Sequence, residues 1–288
     1  MEKIGVIGGS GLYELDGLAI KEEREVSTPF GTPSSPLTIA ELGGKEVVFL
    51  ARHGRGHGIQ PSDIPFRANI YALKEAGVTQ VISVSAVGSM KEEIVPGHLV
   101  FPDQFIDRTV GRERTFFSDG IVGHVTFADP ICKFLQAKIV KAAEATGVTH
   151  HVDGTYICIE GPQFSTRAES LLFRSWGVSV IGMTNMPEAR LAREAEMSYA
   201  TIALATDYDC WHEGHEDVSV EAVLATIKSN VINAKKVIRQ LVLDHDAEAA
   251  RPEGVSAALK FAVMTSPEIF PAEARARIEL LIGKYFPA

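Results

Sequence analysis

The sequence predicts an α/β fold built on a largely parallel or mixed sheet. Short apolar, β-branched runs of strand length alternate with amphipathic helical patterns through most of the chain. Glycines, prolines and capping residues fall where one kind of element gives way to the other.

The strand candidates are Ile4–Ile7, Lys45–Leu50, Gln80–Ser85, His98–Phe101, Thr155–Glu160, Ser179–Gly182 and Thr201–Ala205. Between them, residues 66–76 place Ile70 and Leu73 on one helical face and stop at Gly77. Asp129 and Pro130 form a cap and first-turn pair. The helix they open turns Ile131, Phe134, Leu135 and Ile139 inward and ends at Gly147. Thr166 and Glu169 make a capping box for a helix ending at Gly177, and Pro187 starts another. Ser219 can cap a long helix whose stripe is Val223, Leu224, Ile227 and Val231. From His245 to Gly254 the chain turns polar, and helical patterns follow at 255–264 and 271–284. These read as a C-terminal appendage to one domain, or as a segment that packs instead on a neighbouring subunit.

A chain of 288 residues can bury a sizeable core. Hydrophobic content of 45% and charged content of 23% belong to a globular protein rather than a disordered one. A net charge of −9 argues against nucleic acid and anionic membrane as partners. It also requires that any anionic substrate be captured by local donors against an unfavourable general field. Cys132, Cys158 and Cys210 are far apart with no CxxC pair, as expected of small core residues in a reducing compartment. The start MEKIGVIGGSG is no leader peptide and no apolar run is long enough to span a bilayer, so a soluble cytoplasmic protein is expected.

Chemistry concentrates where the strand candidates end. TIALATDYDCW (201–211) is a buried-strand run that closes on Asp207 and Asp209. If the extended conformation continues, the two acids point the same way and cannot both ionise cheaply, so one holds a proton near neutrality. A protonated acid suits a poor leaving group; two acids in a surface turn is the competing reading. Gly5–Leu12, GVIGGSGL, offers backbone N–H groups and the Ser10 hydroxyl to an anion, or is a plain tight turn. It fails the GxGxxG dinucleotide pattern, because Glu14 stands at the last position, and Leu12 rules out GxSxG. Arg52 follows a strand, and its fork is shaped to grip phosphate in two places at once, unless the loop is merely solvated. His53 and His57 sit four apart, but the intervening glycines make no helix and no third ligand is obvious, so no metal is expected. Ser85 in VSAVGS and Thr184 in GMT add hydroxyls at further strand ends. Phe164, at the turn of EGPQFSTR, either covers a flat heterocycle or packs in the core. Residue logic thus reaches a phosphate, something planar and a buried acid.

At these residues the chain resembles the purine nucleoside phosphorylases, in their 5′-methylthioadenosine phosphorylase branch. The motifs GVIGGSGL, ARHGRGHGIQPSDIPFRANI, SVSAVGSM, PGHLVFPDQFIDRT, IEGPQFSTRAES, GMTNMPEARLAREA and ATDYDCW occur in family order over roughly residues 4–240. The resemblance implies a single α/β domain with a mixed, partly barrel-like central β-sheet flanked by helices. It implies a nucleoside phosphorylase domain over residues 1–245 and a C-terminal helical extension over 246–288. It implies phosphate held by Ser10, Arg52, His53, Ser85, the Ala86 backbone N–H and Thr184. Ribose then lies over Met183, and the base stacks on Phe164 beside Ser165. Asp207 and Asp209 face the purine's N7 and 6-amino edge. Asp207 with Ser165 resembles the adenine-using type, and Val220 and Val223 match positions that hold the 5′-methylthio group. His124 is the counterpart of a residue that reaches over from an adjoining subunit. The implied assembly is a homotrimer or a dimer of trimers. Inorganic phosphate is a co-substrate, with no cofactor and no metal.

The implied reaction is reversible phosphorolysis of 5′-methylthioadenosine to adenine and 5-methylthioribose 1-phosphate. Its rivals are a methylthioinosine or general purine nucleoside phosphorylase, a nucleosidase that uses water, and a non-catalytic nucleotide-binding module. Asp207 speaks against the first two, the anion-suited residues against the third, and the failed glycine fingerprint with two acids against the last.

Overall fold

The computed structural model describes residues 2–212 and 220–287, and leaves out the side chains of Ser10 and of residues 220–225. Strand β1 (Ile4–Gly8) is followed by a single 3₁₀ turn, the exposed strand β2 (Ala19–Arg24), and the hairpin of β3 (Leu37–Leu42) and β4 (Lys45–Ala51). Helix α1 (Phe66–Glu75), β5 (Gln80–Ser89), β6 (Leu99–Phe101) and β7 (Gln104–Arg108) come next. Helix α2 (Lys133–Thr146), β8 (His150–Val152), β9 (Thr155–Ile159), α3 (Arg167–Ser175) and β10 (Val180–Gly182) complete the middle of the chain. Helix α4 (Asn185–Glu194), β11 (Ser198–Asp207), α5 (Val220–Leu243), α6 (Glu253–Ser256) and α7 (Ala272–Ile282) close it.

One mixed sheet unites the strands in the order β2–β3–β4–β1–β5–β10–β9–β7, with β11 on the other side of β5, β6 beside β11 and β8 beside β6. Strand β5 is the hub. It pairs parallel to β1 over Gln80–Ser83, antiparallel to β10 at Gly88 and Ser89, and parallel to β11 along nearly its whole length. Strands β6 and β7 are one stretch of chain interrupted at Pro102 and Asp103, so the path β5–β10–β9–β7–β6–β11 returns to β5 and gives the sheet its partly barrel-like form. On one edge of β5 the ladder to β1 stops at Ser83 and the ladder to β10 begins only at Gly88. Such a change of partner opens a crevice in an α/β sheet, which is where ligands bind.

All seven expected strands are present, some with different ends. β5 runs four residues past Ser85, so Ser85 and Ala86 lie within the strand rather than at its end. Strands β2, β3, β7 and β8 were not legible. The sequence AIKEER of β2 is exposed at every position and has no buried face to alternate with. The Thr166–Glu169 capping box forms as expected, and Gly147 ends α2 in the left-handed conformation. Asp129 and Pro130 do not cap α2, which starts at Lys133 behind Cys132. The buried residues Ile131, Leu135 and Ile139 still face inward. The regular part of α4 starts at Pro187, because Met186 has a non-helical φ of −118° and ψ of 131°. Ser219 lies outside the described residues. The helix expected at 255–264 reduces to the single turn of α6 followed by irregular turns. Cys132 and Cys158 are buried, whereas Cys210 is only half-buried.

Beyond Gly254 the chain packs on the core through Leu259, Ala274, Ile278, Leu281 and Ile282. Buried Glu196, between α4 and β11, ties this segment down. It accepts from the Leu259 N–H at 2.9 Å and the Tyr285 hydroxyl at 2.7 Å, and pairs with Lys284 at 2.5 Å. Among the described residues no helix is long and apolar enough to cross a membrane.

Candidate active site

The gap in the β5 ladder is where the expected site residues gather. Ala86 is the exposed residue of β5, flanked by buried Ser85 and Val87. β10 runs antiparallel to β5, so its C-terminal end delivers Met183 and Thr184 to this part of β5. The Ser85 hydroxyl donates to Oδ1 of Asn185 at 3.0 Å, fixing the start of α4 against β5. Thr184 precedes α4 without capping it, and its buried Oγ1 has no partner among the described residues. A buried hydroxyl without a partner is costly unless a ligand completes it. Here it stands beside a helix N-terminus, which favours an anion.

Arg52 reaches the same gap but does not present an open fork. Its Nε and Nη2 grip both oxygens of Glu188 at 2.7 and 2.9 Å. Nη2 also donates to Ser83 Oγ at 2.6 Å, and Nη1 to the Val84 carbonyl at 2.8 Å. The two-point grip expected on phosphate is therefore made on Glu188, and the guanidinium plugs the sheet where β5 loses its neighbour. Glu188 also accepts from the Tyr199 hydroxyl at 2.8 Å, and Asn185 donates to that hydroxyl at 3.1 Å. Arg52, Glu188, Tyr199, Asn185 and Ser85 thus form one buried network. Glu188, Tyr199 and Asn185 escaped the sequence reading. No local spacing announces them: the non-helical backbone of Met186 breaks any helical turn between Thr184 and Glu188.

His53 is half-buried. Its Nδ1 lies 2.8 Å from the Ile59 carbonyl, an acceptor, so Nδ1 carries the hydrogen and Nε2 is left as an acceptor in the neutral ring. Burial pushes this imidazole down to about 4. The His53 and His57 rings stack with centroids 4.1 Å apart. No group of three or more His, Cys, Asp or Glu side chains among the described residues is placed to hold a metal.

On the far side of Gly88 lie the two acids. β11 ends at Asp207, and Asp209 has a φ of +52°, so the extended run expected through both does not occur. The Asp209 N–H donates back to Asp207 Oδ1 at 2.8 Å, and the Thr206 hydroxyl donates to Oδ2 at 2.6 Å. Burial pushes the Asp207 carboxyl above its ordinary range, these two hydrogen bonds pull it back, and the charge of Asp209 adds a smaller upward push. Burial raises Asp209 as well. The expected direction is met, but desolvation rather than mutual repulsion is the main cause.

Phe164 is 51% exposed, which removes the core alternative. Ser165 is half-buried with an unpartnered Oγ, and its carbonyl accepts from the Cys210 thiol at 3.4 Å, which ties this turn to the acids. Met183 packs against Gly161, where an added Cβ would lie 2.6 Å from its sulfur. His124 is not in this group. It is exposed and lines a separate cleft of about 520 Å³ with Arg114, Arg190 and Glu194, whose carboxyl burial raises to about 7. The side chains of Ser10, Val220 and Val223 lie outside the described residues.

Gly88 keeps the acid side open. A Cβ there would lie 2.9 Å from Asp207 Oδ1 and 3.0 Å from Ile181 Cγ2. Gly88→Ala is expected to displace Asp207 and reduce turnover by about 10²-fold, the scale of an ångström-sized misplacement. Steady-state kinetics beside a thermal melt checks this, the melt changing far less than the rate.

The fold and this cluster define a class. A family model described as "Phosphorylase superfamily" matches residues 3–243, and the chain belongs to that superfamily. More particular relatives are curated S-methyl-5′-thioadenosine phosphorylases. That of Geobacter sulfurreducens is 58% identical over 98% of both chains, and that of Synechocystis is 53% identical over 99% of this chain and 88% of its own. A crystal structure of a methylthioadenosine phosphorylase from an antarctic soil metagenomic library superposes with a TM-score of 0.92 at 46% identity, covering 97% of this chain and 98% of that one. The Schistosoma mansoni methylthioadenosine phosphorylase in complex with adenine gives 0.81 at 37% identity, over 84% and 91%.

Proposed function

We propose that the chain catalyses reversible phosphorolysis of 5′-methylthioadenosine, giving adenine and 5-methylthioribose 1-phosphate. The observation that carries this reading is the placement of two features on either side of β5. One is the buried, unpartnered Thr184 hydroxyl at the start of α4. The other is the carboxyl of Asp207, pushed up by burial.

The C1′–N9 bond stretches first and leaves an oxocarbenium-like sugar. Phosphate, held by Thr184, Ser85, the Ala86 N–H and Ser10 and donating its own O–H to Nε2 of His53, stabilises that cation and captures it from the opposite face. Arg52, committed to Glu188, contributes charge through the floor of the site rather than a fork. Asp207 gives adenine N7 a proton or strong hydrogen bond as it leaves, Asp209 engages the 6-amino edge, and Phe164 and Ser165 face the base. Met183 holds the ribose, while Val220, Val223 and the His124 of an adjoining copy enclose the 5′ group. The working unit is a cytoplasmic homotrimer or dimer of trimers. Residues 1–245 form the catalytic domain and 246–288 its extension, with phosphate as co-substrate and no cofactor.

The test is a spectroscopic assay on methylthioadenosine, methylthioinosine, adenosine and inosine, with and without phosphate. Cleavage of methylthioadenosine that requires phosphate and outpaces the inosines is expected. Phosphate-independent cleavage would refute the reading in favour of a nucleosidase.

A further inference from the structure

We infer that Arg112 is a positioning residue that aims the Met183–Thr184 segment at substrate. This rests on the proposed roles of those two residues. Arg112 has a side chain only 1% exposed, and every arm of its guanidinium is committed. Nη1 donates to the Met183 carbonyl and to the Met186 carbonyl, both at 2.7 Å, gripping the chain on either side of Thr184. Nη2 donates to the Glu160 carbonyl at 2.7 Å, and Nε to the Glu160 carboxylate at 3.1 Å.

The segment it grips needs an outside support. Met186 is non-helical, so the first residues of α4 are not held by a regular helical ladder. A single planar fork supplies donors to two of its carbonyls, which a lysine ammonium, with no fixed plane, does not reproduce. The other half of the fork joins this segment to the Glu160–Ser165 turn that carries Phe164. The Glu160 end is itself anchored. Although burial opposes it, hydrogen bonds from Ser62, the Val110 and Gly111 N–H groups and Arg112 hold its carboxyl down at about 2. It therefore stays charged beneath Arg112 throughout the working range of pH. Arg112 links the sugar and phosphate side of the site to its base side through protein groups alone.

Arg112→Lys keeps the charge and removes the fork. The KM for phosphate and for methylthioadenosine should both rise by about 10-fold or more, on the scale of a misplaced binding group. A residue that only stabilises the fold lowers the melting temperature and leaves both KM values of the folded enzyme unchanged, and that result would overturn the inference. If Arg112→Lys does not fold, Glu160→Gln carries the same test, with a smaller rise in both constants expected and unchanged constants refuting it. Thr184→Val separates the two levels. If it leaves the phosphate KM unaltered, the phosphate reading fails and this inference falls with it. If it raises that KM while Arg112→Lys does not, only the role of Arg112 is refuted.

Discussion

Asp207→Asn lowers turnover on 5′-methylthioadenosine by at least about 10²-fold, the lower end of what a positioned general acid contributes. The side chain keeps its shape, and its amide oxygen can still accept from the Thr206 hydroxyl or the Asp209 N–H that now hold the carboxylate. What it loses is the proton that burial makes available. Desolvation of Asp207 raises the pH range over which that proton is retained. Activity in the unmodified enzyme should therefore fall as pH rises through the acid's raised pKa, and this alkaline limb should vanish in the variant. With its amide oxygen held by Thr206 or Asp209, the asparagine turns its NH2 donor to the base, so selectivity should move towards 6-oxopurines. Near-full activity on the adenine nucleoside, measured across pH, would exclude Asp207 as the acid.

Glu188→Ala destabilises the fold by about 3–5 kcal/mol, the usual consequence of stripping one partner from a buried ion pair. Arg52 is 2% exposed and gives two of its donors to Glu188, so the alanine leaves a buried cation without its counter-charge. Denaturant unfolding measures the loss. The double variant Arg52→Met with Glu188→Met removes both charges at similar volume and should regain most of the stability. It should not regain phosphate affinity, because the guanidinium that orders Ser83 and the Val84 carbonyl beside the anion site is gone. Equal instability of single and double variants would mean that packing, not charge, governs this site.

Much of this molecule was legible because its strands end in unusual residues. Arg52, Thr184 and Asp207 each follow a short apolar run, and that juxtaposition was enough to nominate them. Their surroundings were not legible, because a partner in space leaves no mark in local spacing. Nothing near Arg52 in the chain announces Glu188, and nothing near Met183 announces Arg112. Ser85 shows a different limit. The strand continues to Ser89 because a second neighbour, β10, takes over its edge at Gly88, and pairing of that kind is decided by tertiary topology. Asp209 shows a third, since its left-handed backbone replaces the extended run that alternation suggests. β2 was missed because a fully exposed edge strand carries no hydrophobic period.

A crystal structure of the enzyme soaked with phosphate and adenine probes the central claim most directly. The anion should lie within hydrogen-bond distance of Thr184 Oγ1 at the start of α4, and the N7 edge of adenine should meet the Asp207 carboxyl across Gly88. Phosphate bound away from Thr184, or adenine seated where Asp207 cannot reach N7, would contradict the account.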